Sequence, residues 1–206
     1  MVVKKRIITH RSSQKGVNPI VRMMNAITEG NTGLVNKLLD EGADPNTKNP
    51  VDHVTALMMA SKEGKTDIVR SLIDRGANVN LKTKDGMTAL MAASLIGDTG
   101  IVQILLDNGA DVNLKTNDGR TALMAASLIG DTGIVQILLD NGANVNSQAA
   151  NGKTALLVAA SNDDINTMKL LLDRGADMEL RGGKSRHHGR KMKNSRKKRK
   201  TRKNKK

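Results

Sequence analysis

The chain of 206 residues contains no Phe, Tyr, Trp or Cys. Without Cys, the chain cannot form disulfides, thiolate zinc sites, iron–sulfur clusters or a thiol nucleophile. Without aromatic side chains, it has no platform on which nucleic-acid bases stack, which excludes the usual single-stranded binding modules. Its core must therefore be aliphatic, built from Ala, Leu, Ile, Val and the 11 Met.

Long apolar runs are also missing. No stretch approaches the roughly 20 apolar residues that a membrane-spanning helix needs. The N-terminal string MVVKKRIITHRSSQKG lacks the apolar segment of a signal peptide. We therefore expect an intracellular protein that does not associate with membranes.

Both ends of the chain lack acidic residues. Residues 1–18 carry five basic side chains, and residues 181–206 carry 15. Residues 19–180 carry 14 basic and 20 acidic side chains, a net charge of −6, although the whole chain is +14. The charge pattern predicts a basic disordered arm at 1–18, an acidic body at 19–180, and a lysine- and arginine-rich disordered tail at 181–206.

The body is built from a 33-residue repeat. The strings DGMTALMAASLIGDTGIVQILLDNGADVNLKTN and DGRTALMAASLIGDTGIVQILLDNGANVNSQAA match at 27 of 33 positions. The same frame extends in both directions. It predicts five units, at 19–51, 52–84, 85–117, 118–150 and 151–183.

Each unit has the pattern of a turn followed by two short helices. In unit 85–117, Thr88 is placed to cap the first helix, Gly97 to end it, and Asp98 or Thr99 to cap the second. The string IVQILL gives the second helix one apolar face. Helices this short are unstable alone, so neighbouring units must stack to bury a shared core. The pattern predicts an all-α solenoid.

These strings resemble the ankyrin repeat. The family's unit of about 33 residues has T-P-L-H-x-A-A, I-V-x-x-L-L and G-A-D-V-N strings. Here they read T-A-L-M-A-A-S, I-V-Q-I-L-L, and G-A-D-V-N or G-A-N-V-N, over about four fifths of the chain. The resemblance implies an all-α ankyrin-repeat solenoid with a protein partner. The tandem units and basic tail are also loosely similar to ankyrin repeat proteins of giant DNA viruses.

This chain departs from the family in its first helices. Met58, Met91, Met124 and Leu157 stand where the family has a His that ties neighbouring loops together by hydrogen bonds. We therefore expect less polar bridging between neighbouring turns and more reliance on apolar packing.

We find no convincing constellation for catalysis or metal binding. The string GKS at 183–185 resembles the end of a phosphate-binding loop, but Met178 stands where that loop needs a Gly. The two His at 187–188 have no third ligand nearby, and Asp163-Asp164 fits the start of a helix. We expect no enzymatic activity, no cofactor and no metal.

Partners of the family usually contact the turn tips and the exposed side of the first helices. The residues predicted to form this protein-binding face are Val54, Met87, Leu95, Ile96, Arg120, Leu128, Ile129 and Lys153. Large exposed aliphatic side chains mark interaction sites when they are contiguous. The alternative is that the unit identity reflects a recent duplication and that the Leu-Ile pairs partly bury against the adjoining helix.

The tail contains a short basic string of the kind that nuclear import receptors recognise. The residues predicted to carry this signal are Arg196, Lys197, Lys198, Arg199, Lys200, Arg202 and Lys203. The same charges suit binding to the phosphates of DNA or RNA without sequence specificity, or solubilisation alone.

We therefore expect a monomeric, non-enzymatic interaction scaffold or adaptor. Its localisation is expected to be the nucleus, that of a host cell if the gene is viral, with the cytoplasm as the alternative. The rival hypothesis is a non-specific nucleic-acid-binding protein that acts through the tail and uses the repeat array as a spacer.

Overall fold

The computed structural model describes residues 18–178. Over these residues it has ten α-helices and no β-strand, which confirms the predicted all-α class. The helices are α1 (Pro19–Thr28), α2 (Thr32–Asp40), α3 (Ala56–Lys62), α4 (Thr66–Asp74), α5 (Ala89–Ile96), α6 (Thr99–Asp107), α7 (Ala122–Ile129), α8 (Thr132–Asp140), α9 (Ala155–Ser161) and α10 (Ile165–Asp173). The predicted basic arm, apart from Asn18, and the predicted tail with its signal residues lie outside the described residues.

The helices form an array of two layers. Each odd-numbered helix packs against the even-numbered helix that follows it, odd-numbered helices stack on one another, and even-numbered helices do the same. Equivalent helices begin 33 residues apart from α3 onward, whereas α2 and α4 begin 34 residues apart. The loop before α3 is therefore one residue longer than its equivalents. The predicted boundaries of the five units stay predictions.

Helix capping follows the sequence pattern closely. The N–H of Met91 donates to Thr88 Oγ1 at 3.3 Å, as predicted, and equivalent threonines cap α3, α7 and α9. Asp98, rather than the following Thr, caps α6 by accepting from the N–H of Ile101 at 2.9 Å. Gly97 ends α5 with φ 77°, the left-handed conformation that glycine adopts without strain.

A fully buried alanine lies in every odd-numbered helix. These residues are Ala26, Ala60, Ala93, Ala126 and Ala159, each 0% exposed. Branched side chains of the even-numbered helices, such as Leu105 and Leu138, close the same core from the other layer. The core is continuous from Met23 to Leu171, so each helix pair depends on its neighbours for burial.

Asparagines at the ends of the G-A-x-x-N strings provide polar bridging between units. Asn113 Nδ2 donates to the carbonyl of Gly142 at 2.9 Å, and Asn113 Oδ1 accepts from the N–H of Asn144 at 2.8 Å. The same two-point bridge recurs at Asn46, Asn80 and Asn146. Each bridge therefore holds the loop after one even-numbered helix at a fixed distance from the equivalent loop of the next unit.

The turns before the odd-numbered helices are joined by main-chain hydrogen bonds. The N–H of Asn117 donates to the carbonyl of Asp85 at 2.9 Å, and equivalent bonds join the turns on either side. The approach is close, because a Cβ on Gly86 would lie 2.9 Å from the backbone of Thr116 and Asn117. Glycine is needed at this turn for space as well as for its positive φ of 83°.

The start of α10 differs from its equivalents at one strained residue. Asp163 has φ 54°, at the position that Gly97 and Gly130 occupy in earlier units. The next residue, Asp164, caps α10, as the sequence pattern predicted, and accepts from the N–H of Thr167 at 3.1 Å. Hydrogen bonds from Thr167 hold the pKa of Asp164 below its usual range. The cap therefore contributes stability near neutral pH and loses it as the pH falls through that lowered pKa.

We predict that Asn113→Ala lowers the free energy of unfolding by about 1–2 kcal/mol, because it removes two inter-unit hydrogen bonds. The matched control is Asn141→Ala, since Asn141 Nδ2 bonds only to Ile137 in its own helix. Urea denaturation of both full-length variants measures the difference. Equal destabilisation by the two changes would contradict a bridging role.

We also predict that Asp163→Gly is more stable than Asp163→Ala by about 1 kcal/mol, because a left-handed residue with a Cβ is strained. Neither change removes a side-chain hydrogen bond that the structure shows for Asp163. Thermal unfolding of the two variants decides the question. An alanine variant as stable as the glycine variant would show that Asp163 is not strained.

Candidate protein-binding groove

A groove of about 280 Å³ lies between the turn tips and the odd-numbered helices α5, α7 and α9. Its lining spans three units. The residues that form it are Met87, Met91, Leu95, Thr116, Arg120, Thr121, Met124, Ala125, Leu128, Ala149, Asn151, Lys153, Val158 and Ser161.

The floor of the groove is aliphatic. Met91 and Met124 are each 4% exposed and belong to the continuous core. Above them, Met87 and Leu95 are each 38% exposed and Leu128 is 49% exposed. Unbranched methionine side chains adapt to irregular shapes, so this floor can accommodate a bulky apolar group.

The rim of the groove carries two cations. Arg120 Nε lies 2.7 Å from the Asp118 carboxylate, and both side chains are largely exposed. The hydroxyl of Thr116 donates to Asp118, and together with the charge of Arg120 it holds the pKa of that carboxyl below its usual range. Lys153 forms no ion pair and no side-chain hydrogen bond with any residue of 18–178.

The structure brings together five of the eight residues predicted for the protein-binding face. They are Met87, Leu95, Arg120, Leu128 and Lys153, and all of them line the groove. Their assignment to a partner stays a prediction.

The other three predicted residues lie outside the groove. Ile96 and Ile129 lie over the mid-unit glycines of the preceding units. A methyl group of Ile96 lies 3.8 Å from the point where a Cβ on Gly64 would stand, and one of Ile129 lies 3.9 Å from the same point on Gly97. Val54 is half-buried and packs against the core. Both isoleucines are still exposed, at 43% and 51%, so they pack only in part against the neighbouring unit.

Sequence reasoning missed several lining residues that the structure adds. The sequence places Met91 and Met124 in the first helices at the position of the family His, and the structure shows that this position lies at the groove floor. Val158 and Asn151 belong to the last unit, where the first-helix string reads TALLVAAS in place of TALMAASL. A comparison of equivalent first-helix positions in every unit would have identified Met91 and Met124 as groove residues.

The described residues show neither a metal-binding cluster nor a membrane-spanning helix. Among residues 18–178, no three His, Cys, Asp or Glu side chains lie together closely enough to hold a metal ion. None of the ten helices described has the length and hydropathy needed to cross a membrane.

Comparison with known proteins agrees with the repeat pattern. The family model described as "Ankyrin repeats (3 copies)" matches residues 23–116 and 97–181. No curated protein matches the chain. Ankyrin repeats are generally modules for protein–protein interaction. Because the family matches cover most of the chain and the described residues form a stacked array of helix pairs, the chain belongs to the ankyrin repeat family.

Proposed function

We propose that the protein is a non-enzymatic interaction scaffold or adaptor that acts as a monomer and binds a protein partner in the groove. One observation carries the proposal. Met87, Leu95 and Leu128 present large exposed aliphatic side chains around a single groove that spans units 85–117 and 118–150. A continuous exposed apolar surface of this kind is typical of a binding site.

The two leucines are not required by the helices that carry them. The equivalent positions are Lys62 in the second unit and Ser161 in the last, and each is the final residue of a seven-residue helix. A polar residue is therefore compatible with the fold at this position. We therefore attribute the two leucines to contact with a protein partner.

We predict that Leu95→Ser together with Leu128→Ser weakens binding to the partner by roughly tenfold or more, because it removes apolar area that the partner would cover. Proteins are captured on the full chain from nuclease-treated extract of the cells that express it. The matched control is Val51→Ser with Ile165→Ser, two residues that are 74% and 55% exposed and do not line the groove.

The scaffold function is supported if the control variant and a chain lacking residues 184–206 both still bind the captured protein. The Leu95→Ser with Leu128→Ser variant should no longer bind it. Circular dichroism of each variant checks that the helices are intact. Capture that ends with nuclease treatment or with loss of the tail would instead support the rival function, non-specific nucleic-acid binding through the tail.

The tail is proposed to direct this complex to the nucleus or to tether it to a polyanion. The support is its composition, with 15 basic side chains and no acid over residues 181–206. A contiguous string at 197–200 favours recognition by an import receptor, whereas the total charge favours binding to phosphates. These two uses can be separated, because one depends on position in the tail and the other on the number of charges.

We predict that replacing Lys197, Lys198, Arg199 and Lys200 with Ala moves a fluorescent fusion of the full chain from the nucleus to the cytoplasm. The control replaces four other basic residues of the tail, Lys184, Arg186, Arg190 and Lys191, and removes the same charge. The fusion should be too large to cross nuclear pores passively. If both variants lose nuclear fluorescence equally, total charge rather than the basic string retains the protein there.

A further inference from the structure

The turn tips change from apolar to cationic along the array. The residues at equivalent tip positions are Val54, Met87, Arg120 and Lys153, each 33 residues after the one before. The exposed leucines Leu95 and Leu128 continue the apolar part along the helices. A ligand that lies along the groove therefore meets aliphatic groups toward the α5 end and positive charge toward the α9 end.

The charge in the groove is opposite in sign to that of the array. Residues 19–180 have a net charge of −6, yet among residues 18–178 the charged side chains that line the groove are Arg120 and Lys153. The Asp118 carboxylate that pairs with Arg120 lies beside the lining rather than within it. Because Asp118 neutralises Arg120, Lys153 supplies the unpaired positive charge of the groove among residues 18–178, and this charge suits an anionic group on the ligand.

Lysines near the tips are otherwise used to join units. Lys82 Nζ donates to the carbonyl of Lys115 at 2.9 Å, and Lys115 Nζ and Lys84 Nζ donate to carbonyls of other units. Lys153 has no such contact within residues 18–178. Its cation is therefore available to a ligand without loss of a bond within the array.

Resting on the proposed function, we propose that the groove selects acidic, amphipathic protein segments. A large apolar side chain of the segment packs on the methionine floor beside Leu95 and Leu128. Carboxylates next to it in the sequence face Arg120 and Lys153. A nucleic acid would match the cations alone, since it has no aliphatic group to bury on this floor and the chain has no aromatic side chain on which a base could stack.

The test is selection from a displayed library of random peptides on three full-length proteins. They are the wild type, Leu95→Ser with Leu128→Ser, and Arg120→Met with Lys153→Met. The methionine variant copies the tip residue of unit 85–117, so the fold already accepts it. All three proteins keep the basic tail, so peptides that the tail captures bind to all of them and are discarded.

We expect peptides that depend on the leucines to carry a large apolar residue flanked on one side by Asp or Glu. This acidic enrichment should disappear on the methionine variant while the apolar residue is retained. Groove-dependent peptides without acidic enrichment, or with the same enrichment on the methionine variant, would overturn this inference and leave the proposed function intact. If no peptide depends on the leucines, the proposed function itself fails.

Affinity measurements on one selected peptide complete the test. Lys153→Gln should weaken binding about fivefold, the effect of losing one exposed charge pair. Lys169→Gln, which changes an exposed lysine of α10 that does not line the groove, should leave the affinity unchanged. Equal weakening by both would overturn the role of Lys153. Light scattering checks for a second copy as the occupant, and a dimer that the leucine variant loses would also overturn the proposal.

Discussion

The close approach of the odd-numbered helices is the constraint on which the rest of the structure depends. It is possible because each of them carries a fully buried alanine, from Ala26 to Ala159. Larger side chains at these positions would force the helices apart. The separation would lengthen the asparagine bridges and open the turns that meet at Gly86. Since each helix has only seven to ten residues, no pair could compensate with a core of its own.

The local structure was predictable because it depends on short-range rules. The Thr88 cap, the end of α5 at Gly97 and the Asp cap of α6 all follow from residue chemistry within four positions. The inter-unit bridges at Asn113 and its equivalents were missed, although the asparagine recurs in every G-A-x-V-N string. Capping joins residues near in sequence, whereas this bridge joins residues about 30 apart, and sequence spacing alone does not show which side chain spans the gap.

The candidate site was predictable as a region but not in its geometry. Leu95 and Ile96 are adjacent in sequence and were assigned to one face. Successive residues of a helix point about 100° apart, so Leu95 faces the groove and Ile96 lies over Gly64 of the preceding unit. The methionine floor was missed because Met91 and Met124 are buried, and a search for partner-binding residues favours exposed positions.

The two ends of the groove differ in charge, although the units that form most of it are nearly identical. Units 85–117 and 118–150 differ at six positions, and two of these positions line the groove, with Met87 against Arg120 and Thr116 against Ala149. An acidic segment approaching the array would first meet a net negative body, which repels it. At physiological salt such repulsion is screened beyond about 8 Å, whereas a contact with Lys153 is not. The sign of the groove therefore acts at contact distance. Binding of an acidic partner would depend on salt mainly through its association rate if the tail guides encounter, and mainly through its dissociation rate if the groove cations hold it.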